Sequence, residues 1–422
     1  MSSGSSEPPD PSRRALLRGA AAAGAAAGAA ALVAALPGSG LTQEPAAPAV
    51  PPDATKVPGG PTTALSARSR FEHPARAPVG QLTGASLTPI HQLTGTLTPT
   101  DLQFERHHNG VPEIDPVRWR LLLHGLVDRP LIFTLADLRR LPSVTRIYFL
   151  ECSGNGRNAY RSPRHEMSPQ QIDGMTANAE WTGVRVATLL GEAGVRPEGR
   201  WGLAEGGDAA VLSRSVPLQK LLDDALLAYA ENGEPLRPAA GYPVRLLLPG
   251  WEGNACVKWI RRLEVIAQPN MSRDETSKYT DPLPNDTARR FSFVMDVKST
   301  LTHPTYPTVL AGPGWTELSG IAWSGRGKIA RVDLSTDGGR SWSPAELQVP
   351  VLDKAHVRFT RMWKWDGRRA VVMSRAMDET GAAQPSLAEF RGQRGAGTDY
   401  HFNYIRPWVV EPDGRVFYGV DL

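Results

Sequence analysis

The chain has 422 residues, 41% of them hydrophobic, which is enough to build more than one core. Its 47 Lys and Arg against 43 Asp and Glu leave a net charge of +4, and many of the cations are scattered arginines rather than a contiguous stripe, which argues against nucleic-acid binding. The two cysteines, Cys152 and Cys256, make neither a CxxC nor a CxxCH motif, which excludes a zinc ribbon, a thioredoxin-type dithiol and a covalently attached haem.

Residues 1–48 read as an export signal. Ser12-Arg13-Arg14-Ala15-Leu16-Leu17 sets paired arginines ahead of an Ala/Gly stretch at 19–36, the layout of a twin-arginine signal. That stretch is mostly alanine, interrupted by Gly19, Gly24 and Gly28, so it is too weakly apolar for a stable membrane anchor. A Pro-rich leader follows at 49–84. The twin-arginine route delivers folded proteins to the periplasm, typically after a cofactor is loaded, so a cofactor is expected here.

From 85 to 270, short apolar runs alternate with Ala/Leu-rich segments in an α+β pattern. Runs at 119–124, 146–150 and 244–248 predict strands. Segments 134–140, 186–193 and 218–229 predict helices, with Thr134 and Asp137 at a loose capping-box spacing. From about 292 the pattern changes to short strands at 319–323, 329–335, 345–349, 357–365 and 370–377, with Asp337-Gly338-Gly339 as a hairpin turn. That is a β-sandwich signature, and it divides the chain into domains at 85–285 and 286–422.

The feature that points to chemistry is Cys152, in Glu151-Cys152-Ser153-Gly154-Asn155-Gly156-Arg157, where an apolar strand breaks into a small-residue turn. Such a turn lets the backbone approach a ligand closely, and Arg157 is expected to lower the thiol pKa and hold an anion. Two plainer readings stay open. Cys152 could be an inert buried thiol. It could also pair with Cys256 in an exported, non-enzymatic binding protein, a disulfide worth roughly 4 to 5 kcal/mol by loop entropy.

Several motifs, in order, carry a resemblance that covers the chain from about residue 95. They are Phe104-Glu105-Arg106-His107-His108, the Cys152 turn, Trp181-Thr182-Gly183, Gly241-Tyr242-Pro243-Val244-Arg245, Val257-Lys258-Trp259, the stretch 333–342 and Phe390-Arg391-Gly392. Taken together they resemble molybdenum enzymes of the sulfite oxidase family, and within it the sulfane dehydrogenase branch. The resemblance implies a sulfite-oxidase-type molybdopterin-binding domain followed by an immunoglobulin-like β-sandwich dimerisation domain. Cys152 is then the one protein ligand to molybdenum, and a soft thiolate suits a metal already held by a dithiolene.

By the same resemblance, Phe104, Glu105, Arg106, His107, His108, Asp208, Arg245, Cys256, Val257 and Lys258 contact molybdopterin. Read on its own, Lys258 could be a solvated strand-end charge and Asp208 a turn residue. Arg106, Arg157, Tyr279 and Arg391 would form the substrate side, three guanidinium groups orienting an anionic sulfur species and a phenol relaying a proton. The implied reaction is oxidation of sulfur by oxygen-atom transfer from water. The electrons pass to a c-type cytochrome subunit, since this chain has no haem motif, and the catalytic chains pair as a homodimer within a heterotetramer. Two positions depart from the sulfite oxidases: Ala240 stands where they carry a histidine, and Lys278 replaces an acidic residue before the tyrosine. Both favour a sulfane borne by a carrier protein over free sulfite.

Overall fold

The computed structural model describes residues 53, 56 and 59–420, apart from 284, 286 and 396. The expected twin-arginine signal and its Ala/Gly stretch lie outside the described residues. Met1–Arg68 is a unit of its own, in which Thr63 Oγ1 donates to the Leu65 carbonyl at 2.8 Å. Ser69–Leu422 is the second unit and holds the layered architecture. No helix of the described residues is long and apolar enough to cross a membrane.

Three sheets make the first half of this unit. Ala77–Gly80, Gly84–Leu87 and Glu105–His107 form a small antiparallel sheet. It begins inside the span expected to be leader, because Gly80, at φ +77°, turns the chain tightly back onto 84–87. The second sheet orders Glu234–Pro235, Leu226–Glu231, Thr176–Arg185 and Ser143–Glu151, and Arg245–Leu247 adds onto 226–228. The third orders Leu131–Phe133, Leu121–Gly125, Ile260–Ile266, Trp201–Gly206 and Ser213–Pro217, with 260–266 parallel to 121–125.

The expected helix at 186–193 forms as Val186–Ala193 and buries Val186, Leu189, Leu190 and Ala193, the spacing that puts one apolar stripe against a sheet. Leu135–Arg140 starts on a complete capping box: Thr134 accepts from the Asp137 amide and the Asp137 carboxylate accepts from the Thr134 amide. The helix expected over 218–229 ends at Asp223, and Leu226–Glu231 is a strand. That strand is paired on both edges and buried at Leu226, Leu227 and Ala228, so its apolar run is continuous and mimics a buried helix. Trp181, Leu190, Leu227, Leu246 and Leu263, each at most 1% exposed, fill the core between the sheets. Each such side chain contributes about 1.5–3 kcal/mol by burial.

The second half is the expected β-sandwich, and the fold is therefore α+β followed by a sandwich. One sheet orders Lys298–His303, Gly314–Trp323, Val357–Trp365 and Glu346–Leu347. The other orders Ser343–Pro344, Ile329–Ser335, Ala370–Asp378, Trp408–Val410 and Val416–Tyr418. Between them pack Leu318, Phe359, Val372 and Trp408, each 0% exposed. Gly338 and Gly339, at φ +74° and +87°, turn the 329–335 and 343–344 hairpin as expected. Phe149 of the first half packs with Met295, Ile321 and Trp323 of the second, so the halves share a buried seam.

Candidate active site

The strand Ser143–Glu151 is exposed at its start and buried at Phe149, Leu150 and Glu151, so it runs into the molecule and delivers Cys152 to the interior. There the chain turns: the Cys152 amide donates to the Met175 carbonyl at 3.0 Å, and the Asn155 amide donates back to the Cys152 carbonyl at 2.9 Å. Gly156, at φ +98°, ends the turn, and a Cβ on it would meet Arg406 at 2.4 Å and Phe402 at 2.8 Å. Cys152 and Cys256 are both free, which removes the disulfide reading. Burial pushes the Cys152 thiol up and outweighs Arg106 and Arg157, contrary to the expectation of a lowered value. A metal bonded to this sulfur would hold it as thiolate.

Cys152 lines a cavity of about 410 Å³. Of the residues named from the sequence, Phe104, Glu105, Arg106, His107, His108, Asp208, Arg245, Cys256, Val257, Lys258 and Tyr279 line it too. They arrive on strand ends: 105–107 at a sheet edge, Asp208 just past Trp201–Gly206, Arg245 on 245–247, and 256–258 just before 260–266. Convergence of strand ends is what brings residues more than 150 positions apart to one place.

The cavity is cationic and under-satisfied. Burial, then the neighbouring Arg245, holds the Lys258 ammonium well below its ordinary pKa. Lys258 Nζ donates to the Arg106 and Ala239 carbonyls, each at 3.1 Å, and to His107 Nδ1 at 2.8 Å. That bond places the His107 proton on Nε2, which faces Glu105 Oε2 at 3.2 Å. Arg245, 3% exposed, donates to the Ala240 and Cys256 carbonyls at 2.9 and 3.1 Å. Its Nε, like Asp208 Oδ1, is buried without a hydrogen-bond partner among the described residues. The Cys256 thiol itself is turned to the Leu248 backbone.

Tyr279 follows the helix Arg273–Ser277, and its phenol lies 3.3 Å from His108 Nε2. Burial, with the Arg106 charge beside it, lowers His108 from 6.5 to about 4. Burial likewise raises the Tyr279 phenol, so the hydroxyl donates to a neutral ring. His108 also faces a second groove of about 600 Å³, which Lys278 and Ala209 help to line. Two expected substrate residues do not line the main cavity. Arg157 donates to the Asp399 carbonyl at 3.1 and 2.8 Å. Arg391 is exposed on the helix Leu387–Arg394, 5.8 Å from the Tyr160 ring.

The sequence reading missed Arg214 and Tyr400. The Arg214 guanidinium, 0% exposed, sits 4.7 Å from the Tyr279 ring centroid and bonds to Glu252 at 3.1 Å. Tyr400 packs against that ring, its centroid 5.4 Å away. No local pattern marks Arg214, whose burial on the strand Ser213–Pro217 comes from packing between distant segments.

Comparison with known proteins accords with this geometry. Two family models match, the oxidoreductase molybdopterin binding domain over residues 108–273 and the Mo-co oxidoreductase dimerisation domain over 289–406. The chain is 33% identical over 337 residues to sulfite oxidase of Gallus gallus, covering 72% of each. It is 29% identical to the NADH nitrate reductase of Ulva prolifera, of which it spans 42%. Among solved structures, the sulfane dehydrogenase SoxCD of Paracoccus pantotrophus superposes with a TM-score of 0.85 at 43% identity, covering 87% of this chain and 97% of that one. These matches define a molybdopterin-dependent oxidoreductase. Within that class, the chain belongs to the sulfite oxidase family.

The residues present fit the cofactor. A destabilised buried ammonium and a guanidinium with a spare donor suit a phosphate, while the spare acceptor on Asp208 suits a pterin N–H.

Proposed function

We propose that the chain oxidises a sulfane or persulfide sulfur presented by a carrier protein, passing electrons to a c-type cytochrome in the periplasm. The carrying observation is the convergence, in one cavity, of a free cysteine, the cations Arg106, Arg245 and Lys258, and a phenol hydrogen-bonded to a neutral imidazole. When bound, the molybdenum centre supplies oxygen-atom transfer to sulfur and takes up an electron pair.

Cys152 would hold the metal, Arg245, Lys258 and Asp208 the pterin, and Arg106 the anionic substrate. Oxidation with a water-derived oxygen releases protons. Tyr279 would pass one to His108, which opens on the adjacent groove. Arg157, held by Asp399, and Arg391 lie outside the cavity lining and have no contact role in this reading.

Sulfane is favoured by the match over 97% of a sulfane dehydrogenase chain, and by Ala240, which lines the cavity where sulfite oxidases carry a histidine. The 33% identity to a sulfite oxidase supports free sulfite as the second reading. With a cognate cytochrome present, kcat/KM on carrier-bound, thiosulfate-derived sulfane is expected to exceed that on free sulfite about tenfold or more. Equal or faster oxidation of sulfite would instead make the protein a sulfite dehydrogenase.

A further inference from the structure

Beneath the Cys152 turn lie Glu151, Asp173, Lys298 and Arg406, each at most 2% exposed. The two carboxylates come from the first half of the chain and the two cations from the sandwich half. Lys298 Nζ bonds to Asp173 at 2.7 Å and to Glu151 Oε1 at 3.2 Å. Glu151 Oε1 also accepts from Asn155 Nδ2 at 2.9 Å, and its Oε2 accepts from Trp323 Nε1 at 2.6 Å. Arg406 bonds to Asp173 at 3.3 Å and to the Phe402 carbonyl at 2.9 Å, and it packs against Gly156.

The connection to the thiol is short. Glu151 precedes Cys152, and Asn155 holds the turn through its amide on the Cys152 carbonyl and its Oδ1 on the Met175 amide. The sandwich reaches the same turn again where the His401 amide donates to the Ser153 carbonyl at 2.8 Å. Burying four charges is a poor way to gain stability, since well-packed apolar residues do as well. What a buried network of paired charges adds is one allowed geometry.

We propose that Lys298 and Arg406 are positioning residues for the Cys152 thiol, so that the sandwich completes the active site as well as presenting a dimerisation surface. Lys298 fixes the Glu151 carboxylate, which in turn holds the Asn155 amide, and Arg406 wedges the Gly156 end of the turn. The functional consequence rests on Cys152 being the metal ligand; the positioning itself does not.

The test is hydrogen–deuterium exchange on the purified full chain. Lys298→Met is expected to speed exchange in the 152–157 segment about tenfold or more while 226–231 stays unchanged, and Lys298→Arg to restore most of the protection. Unchanged exchange at 152–157 would overturn the proposal. So would an equal rise at 226–231, which marks a general stabiliser. If Lys298→Met does not fold, the paired change Glu151→Gln with Lys298→Met leaves the Asp173–Arg406 pair intact, and the same outcomes decide. Because the readout is backbone opening, it can fail while Cys152 remains the metal ligand, and it can succeed if the sulfur substrate is misassigned.

Discussion

The Tyr279–His108 contact depends on an imidazole that stays neutral. His108 is lowered from 6.5 to about 4, chiefly by burial, so the folded chain binds fewer protons there than the unfolded chain between those values. Its contribution is complete above 6.5 and is lost as pH falls towards 4. The wild-type melting temperature should therefore drop more than that of His108→Gln between pH 6.5 and 4, by about 2 °C or more. Parallel pH curves would show that His108 carries no such load. Residues lying in short motifs, such as Cys152, Arg245 and 104–108, could be named from the sequence because a local pattern marks them. Arg157 could be named but not placed, since its charge is taken up by the Asp399 carbonyl, 242 positions away. Arg214 escaped because a buried arginine leaves no periodic signal.

The element that matters most is the turn from 152 to 156. Gly156 sits at φ +98° against Arg406, so Gly156→Ala adds both a strained backbone and a contact at 2.4 Å. We expect it to destabilise the chain by about 2 kcal/mol, read as a lower urea midpoint at unchanged slope. An unaltered midpoint would mean that the turn is soft. An element with one wet face was legible, as Val186–Ala193 shows by matching its expected bounds. Leu226–Glu231 was not, because burial on both faces erases the alternation that separates strand from helix. The helix Leu387–Arg394 buries only Phe390, so it carried no stripe, although its Ser386 and Glu389 capping box was present.

For the molecule as a whole, the sandwich half matches a dimerisation domain and, by the proposal above, also reaches into the site. Trp315 and Met362, 67% and 54% exposed, lie on paired strands of the sheet whose domain matches a dimerisation family. That exposed apolar pair is the surface we test for pairing. Light scattering is expected to give about twice the chain mass, and Trp315→Glu with Met362→Glu to lower it towards one chain. A mass unmoved by that change would place the pairing surface elsewhere.

The centre of the molecule is the Cys152 sulfur, and X-ray absorption at the molybdenum edge of the purified protein tests it most directly. A third sulfur neighbour beside the dithiolene pair, lost in Cys152→Ser, is the expected result. A spectrum accounted for by the dithiolene alone, or the same spectrum from wild type and Cys152→Ser, would contradict it.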